Sequence, residues 1–357
     1  MSDNWRKLQA SADRQGSSRV PVPFLPPSDA SRPAPFRPRK HTTGSTSRRR
    51  RRDSVNRGRY QQMLNALTID LEDWAQSVLD PALPVTDRVV DNTRRVLDFL
   101  DRHGVRATFF ALGKVCERFD RLLPTIAAAG HEIASHGYRH ELVYRLTPTQ
   151  FAEDLRRSIA IIEEQTGRRP LGYRAPAFSI TDRSRWAGPI LADLGFRYSS
   201  SVFPISGRRY GIPNWPRVPQ RWPDCDLIEF PPTTVRLAGR NWPACGGGYT
   251  RLLPAPVMAW AIRRLNRRGA PAVVYLHPYE LSVGEVRWFF QAGVRCSRAK
   301  RLTQSLWRCR VAPRVSRLLR EFSFGPMSEA LAACPRQGAL PENAAWALPS
   351  ASVPHPA

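Results

Sequence analysis

A chain of 357 residues with 42% hydrophobic content has room for one large barrel or two ordinary domains and can bury a real core. The six cysteines (116, 225, 245, 296, 309 and 334) show no close pairing, which argues against a zinc ribbon or redox motif and for buried or incidental thiols in a reducing compartment. The net charge of +25 invites a nucleic-acid reading, but residues 1–62 hold 15 Lys+Arg against 4 Asp+Glu, so +11 sits in that stretch and +14 in the rest.

In chain order, residues 1–62 are rich in Pro, Ser and Arg, include an arginine run at 48–52 and show no hydrophobic periodicity, so they are predicted to be a disordered tail. A solvated tail is the simpler reading, and a tether to nucleic acid or an anionic membrane the functional one. Met63 is a second candidate start, because the ordered pattern begins just after it. Short apolar runs then alternate with amphipathic stretches. Strands are predicted at 66–69, 107–112, 132–135, 172–174, 196–199, 227–230 and 272–276. Helices are predicted from Thr86 to a stop at Gly104, from Thr147 with Pro148 at its first position to Gly167, and over 256–268. Seven strands with intervening helices predict a parallel α/β architecture, either a barrel or an open doubly wound sheet, with chemistry at the carboxyl ends of the strands. The expected organisation is the tail 1–62, a barrel over 63–280, a basic extension over 281–330 carrying Trp288, Phe289, Phe290 and Trp307, and a Pro- and Ala-rich tail over 331–357. No apolar run reaches the ~20 residues of a membrane span and no signal peptide is visible, so a cytoplasmic location is expected.

Four polar clusters fall at predicted strand ends. Asp70, Glu72 and Asp73 in LTIDLEDW are carboxylates whose joint burial costs several kcal/mol without a cation or arginine, about as often a solvated acidic turn as a site. His136 and His140 in SHGYRH are four residues apart, and the glycine between them eases a turn that would aim both at one divalent ion. An acidic neighbour would complete a His-His-carboxylate set. His103 and His131 lie outside this spacing. In RAPAF, Arg174 ends a strand, Pro176 stiffens the adjoining turn, and the guanidinium could orient a neighbouring carboxylate or make a plain surface pair. In LHPYE, His277 ends the last apolar strand, where it could serve as a proton donor or as a structural histidine. Trp74, Tyr173, Phe178 and Trp215 fit core packing better than sugar stacking.

The order acid, His-x3-His, Arg-x-Pro, His resembles the polysaccharide deacetylase superfamily, also called carbohydrate esterase family four. The branch found with exopolysaccharide and exosortase loci looks nearest. The resemblance covers about residues 64–328, through TFFALGKV, AGHEIASHGYRH, GYRAPAFSI, LIEFPPTT, GGGYTRLLP and LHPYEL, and FSFGPM at 322–327 echoes that branch's FRFAPM. It implies a distorted (β/α)7 barrel and a metal-dependent hydrolase of N-acetyl amides on a glycan. Asp70 would be the catalytic base, His277 the general acid and Arg174 the brace of the base. His136 and His140 would be metal ligands, the ion being zinc. The backbone N–H of Tyr138 would help hold the oxyanion, with Pro176 in the substrate region. Two departures stand out. The usual adjacent aspartates are replaced by Asp70, Leu71, Glu72 and Asp73. Strand alternation favours Glu72 as the metal carboxylate and a bulge favours Asp73; Asp73 is the expectation adopted. The branch's aspartate ahead of the serines is Ser199 here. The expected partner is an N-acetylated oligo- or polysaccharide, with anionic membrane or glycan contact through basic segments, and nucleic acid ranks last. Hydrolysis of non-sugar cyclic amides and an inactive glycan-binding homologue are the alternatives that the same resemblance implies.

Overall fold

The computed structural model describes residues 63–207 and 210–334. The expectations for residues 1–62 and for the chain beyond 334 lie outside the described residues.

Seven parallel strands build the main sheet: β1 (Asn65–Leu71), β2 (Thr108–Ala111), β3 (Glu132–Ser135), β4 (Gly172–Tyr173), β5 (Tyr198–Ser199), β7 (Ile228–Glu229) and β10 (Val273–Leu276). The short β6 (Gln220–Arg221) runs antiparallel to β7, β8 (Thr234–Leu237) pairs with β9 (Arg240–Pro243) as a hairpin, and β11 (Phe324–Gly325) joins the start of β1. The order β10-β1-β2-β3-β4-β5-β7-β6 curls the sheet into a half barrel. Between β10 and β7 the described residues make no ladder. The Thr233 hydroxyl spans the gap, accepting from the Val273 N–H and donating to the Val273 carbonyl, both at 2.8 Å. The expected distorted barrel is therefore present, closed at this seam by a side chain.

Helices cover the outside. The helix Arg88–Arg102 turns Val89, Val96, Phe99 and Leu100 inward. Pro148–Thr166 starts at a reciprocal Thr147–Gln150 cap and turns in Phe151, Leu155, Ile159 and Ile162. It stops at Gly167, whose φ of 65° a residue with a Cβ adopts at a cost. Strand alternation sorts β1: Leu67, Ile69 and Leu71 join the core under the helices, while Ala66 packs in the interior with Phe110, Ala134, Tyr198 and Ile228. Met327, Ala330 and Leu331 of the helix Met327–Ala332 plug the amino end of that interior. The Met327 N–H donates to Thr108 Oγ1 and the Ser328 N–H to Glu132. The segment beyond 281 is thus wired into the sheet, which leaves the carboxyl end of the half barrel for the polar clusters.

Candidate metal and hydrolytic site

Asp70 and Glu72 lie two residues apart at the end of β1 and share its inner face, where the other elements converge on them. Asp70 Oδ1 accepts from Arg174 Nη1 at 2.6 Å; the same nitrogen donates to Thr68 Oγ1 at 2.7 Å. Arg174 is itself fully buried, and it is held on its far side by the Ser200 carbonyl (3.2 Å) and hydroxyl (2.9 Å). Four hydrogen bonds leave the guanidinium one orientation, so the Asp70 carboxylate is pinned through Oδ1 and its Oδ2 is left to face the site, 3.8 Å from His277 Nε2.

Glu72, His136 and His140 offer ligand atoms that all lie within 4.8 Å of one another, and all three residues are buried. His136 Nδ1 lies 2.8 Å from the Arg174 carbonyl. A carbonyl can only accept, so the proton of a neutral ring sits on Nδ1 and the Nε2 lone pair points at Glu72 Oε2, 3.5 Å away. His140 Nε2 meets the same oxygen at 2.7 Å. Two imidazole nitrogens and a carboxylate oxygen aimed at one point repel unless a cation or a ring proton lies between them, and this N,N,O set suits a divalent transition ion. Burial alone would raise the Glu72 pKa, but the neighbouring imidazoles, His140 and His277 foremost, outweigh it and hold the carboxyl well below its usual range. His140 reaches the site from a positive φ of 64°, a conformation that costs on the order of 1 kcal/mol or more and persists only where the surroundings enforce it.

His277 completes the ring of groups. Nε2 lies 3.3 Å from Glu72 Oε1 and Nδ1 lies 3.3 Å from Glu280 Oε2. Burial favours the neutral imidazole, but Glu72, Glu280 and Asp70 overcome it and push the pKa up to about 9. The protonated ring can therefore donate at neutral pH. Tyr279 stacks on His277 with centroids 5.0 Å apart and donates to Glu72 Oε1 at 3.2 Å.

Of the expected residues, Asp70, His136, His140, Arg174 and His277 come together, and two expectations are corrected. Asp73 does not reach the histidines. β1 keeps its alternation through Glu72, and Asp73 caps the helix Trp74–Val78, accepting from the N–H groups of Trp74 (2.9 Å) and Thr86 (2.7 Å). Glu72 is the carboxylate of the cluster. The Tyr138 N–H is not free for an oxyanion either, because it donates to Asp154 Oδ2 at 2.6 Å. Pro176 is buried and opens a short turn in which Ala177 and Phe178 have φ of 51° and 53°, a second strained stretch beside that of His140. Trp74, Tyr173, Phe178 and Trp215 are all buried, as core packing requires.

Glu280 and Tyr279 escaped the sequence reading, although the His277-x-x-Glu280 spacing was open to notice. Glu229 escaped it too. Buried beside Ser199 in the β5–β7 register, it accepts from the N–H groups of Ser201 (2.6 Å) and Val202 (2.8 Å). The acid absent at position 199 is thus matched by one across the ladder; a lone Glu in the apolar run LIEF was its signal.

Comparison with known proteins agrees with this geometry. Residues 80–199 match the polysaccharide deacetylase family model and residues 200–332 match a domain of unknown function, DUF3473. The first match holds His136, His140 and Arg174, the second holds His277, and Asp70 and Glu72 precede both. A Helicobacter pylori peptidoglycan deacetylase is 31% identical over 164 residues, 45% of this chain and 51% of the relative. A Bacillus cereus peptidoglycan-N-acetylglucosamine deacetylase is 31% identical over 96 residues, 27% of this chain and 35% of the relative. The chain thus spans about half or less of the length of these relatives. The fold matches a Mycobacterium smegmatis structure assigned to the polysaccharide deacetylases, with a TM-score of 0.52 and 23% identity over 79% of this chain and 96% of that one. With its half-barrel fold, its family match and its His-His-carboxylate cluster, the chain contains a polysaccharide deacetylase domain of carbohydrate esterase family four.

Proposed function

We propose that this protein is a metal-dependent polysaccharide deacetylase that hydrolyses the N-acetyl amide of sugars in an exopolysaccharide or related glycan and releases acetate. The observation that carries the proposal is the convergence of Glu72, His136 and His140 beside His277 and the Asp70 carboxylate that Arg174 braces. The two histidines and Glu72 would hold the ion, and zinc suits two imidazoles and one carboxylate. A divalent ion bound there supplies Lewis-acid polarisation of the acetamide carbonyl and acidifies water. Asp70 Oδ2 accepts the proton of the attacking water, while Arg174 keeps Oδ1 occupied. His277 gives its proton to the departing amine, and Glu280 holds the ring for that transfer.

Contact with anionic glycan or membrane through basic segments and a cytoplasmic location belong to the same proposal. A cleft of about 620 Å³ lined by Tyr210, Tyr249, Arg236, Arg240, Asn241 and Trp242 supports a glycan ligand. Beneath the cleft, the buried rings of Phe203 and Phe178 connect Tyr249 to Tyr275, whose ring centroid is 5.9 Å from that of His277. The test is acetate release from N-acetylated oligosaccharides with and without a chelator. Release that chelation stops and zinc restores is expected. Equal release in both arms ends the metal role, and no release from any N-acetylated glycan ends the deacetylase reading.

A further inference from the structure

We propose that the surface formed by residues 283–310 docks the protein peripherally on an anionic lipid bilayer. Six of the ten large hydrophobic residues that the described chain exposes lie in this stretch: Val283, Trp288, Phe290, Leu302, Leu306 and Trp307. Exposed Arg287, Arg295, Arg298, Arg301 and Arg310 are interleaved with them. The stretch has a single acid, Glu285, which is buried and bonded to Arg88 (2.6 Å) and Asn92 (2.7 Å). The outward surface is therefore apolar and cationic together, the composition that binds headgroups and inserts side chains at the acyl boundary.

The local structure turns the usual helix polarity around. The helix Arg298–Ser305 buries none of its residues. Lys300 and Gln304, one turn apart, face the protein, donating to the Val78 carbonyl (2.8 Å) and accepting from Trp74 Nε1 (3.4 Å). Leu302 lies between them in sequence, so it points the opposite way, and it is 67% exposed. Trp307 is presented from a left-handed backbone with φ of 55° and is 44% exposed. A bulky residue in that conformation is strained, which marks a position held against its preference. Arg301 lies 4.0 Å over the Phe290 ring, so that exposed cation and exposed ring face solvent as a unit.

Charge and shape favour a bilayer over other occupants. A second copy in a two-fold contact would press this basic surface against itself. A glycan would use the rings but leave Val283, Leu302 and Leu306 without partners. No helix among the described residues is long and apolar enough to cross a membrane, and the proposed contact is made by side chains of this surface. The surface also borders the site. Trp74, two residues after Glu72, packs on Phe289 at 5.1 Å, and Arg308 donates to the carbonyl of Tyr279.

The test is sedimentation of the full chain with phosphatidylcholine vesicles, with and without one quarter phosphatidylglycerol, for the wild type and the double variants Leu302→Ser/Trp307→Ser and Arg298→Gln/Arg301→Gln. All three proteins carry the same residues 1–62, so any binding by that stretch is common to them. The wild type should bind the anionic vesicles at least tenfold more tightly than the neutral ones, and each double variant should lose roughly tenfold or more of that affinity. No anionic preference, or two variants that bind as the wild type does, overturns the proposal. So does a dimer in sedimentation velocity that the Leu302→Ser/Trp307→Ser variant dissolves while vesicle binding is unchanged. Acetate release from a soluble N-acetylated oligosaccharide should be equal in all three proteins. Its absence from the wild type would count against the deacetylase reading and leave the vesicle result standing.

Discussion

Glu229→Gln tests how the fold supports the buried Arg174–Asp70 pair. Burial pushes the Glu229 carboxyl up to about 7 from an ordinary 4.5, although hydrogen bonds from Val202, Ser199 and Ser201 oppose the rise. Between those two values the folded chain keeps a proton that the unfolded chain has released, so stability is fully present below pH 4.5 and is lost as pH rises through 7. At 1.36 kcal/mol per pKa unit the whole effect is ~3 kcal/mol, of which about 2.5 kcal/mol falls between pH 5 and pH 8. Glutamine mimics the neutral acid. Its Oε1 can still accept from Ser201 and Val202, which keeps Ser200 in place to hold Arg174. Urea unfolding of both proteins at the two pH values is the assay. Relative to the wild type, the variant should gain about 2.5 kcal/mol on going from pH 5 to pH 8. A stability difference that does not change with pH would refute the reasoning.

Three further outcomes are expected. Glu72→Ala should lower zinc affinity by more than about 100-fold in a competition titration, whereas Asp73→Ala should keep the metal and cost about 1 kcal/mol of stability through loss of the helix cap. Arg174→Met strands the Asp70 carboxylate in a buried setting, so denaturant unfolding should show a loss of about 3–5 kcal/mol; a loss under 1 kcal/mol would mean that the pair is solvated. Gly246→Ala would place a Cβ 2.0 Å from Tyr275 Cδ1 at a φ of 96°. Overpacking should cost about 1–3 kcal/mol of stability and, by shifting the ring beside His277, lower kcat more than it raises KM.

Much of the architecture was legible because the parallel strands are short, apolar and separated by capped amphipathic helices. All seven predicted strands correspond to β1–β5, β7 and β10, and the three predicted helices lie within two residues of the observed ends. The short antiparallel β6, the hairpin β8–β9 and the joining strand β11 were missed. Their residues, such as Arg240-Asn-Trp-Pro243 and Phe324-Gly325, show no run from which a strand can be read. β11 exists only because β1 offers it an edge.

The linear sequence by itself determined which side chains stand at strand ends, since the period of two and the helix caps are local properties: Asp70, His136, Arg174 and His277 were all found there. Only the tertiary structure decided which of them meet and through which atoms. The choice between Glu72 and Asp73 turned on whether β1 kept its alternation and on the Thr86 N–H, thirteen residues away in the chain, that claimed Asp73. The loss of the Tyr138 amide to Asp154 and the pairing of Glu229 with the serines are contacts across the fold, which have no signature in spacing. Local geometry is written residue by residue, whereas a shared ion or a buried proton depends on distances that packing alone sets.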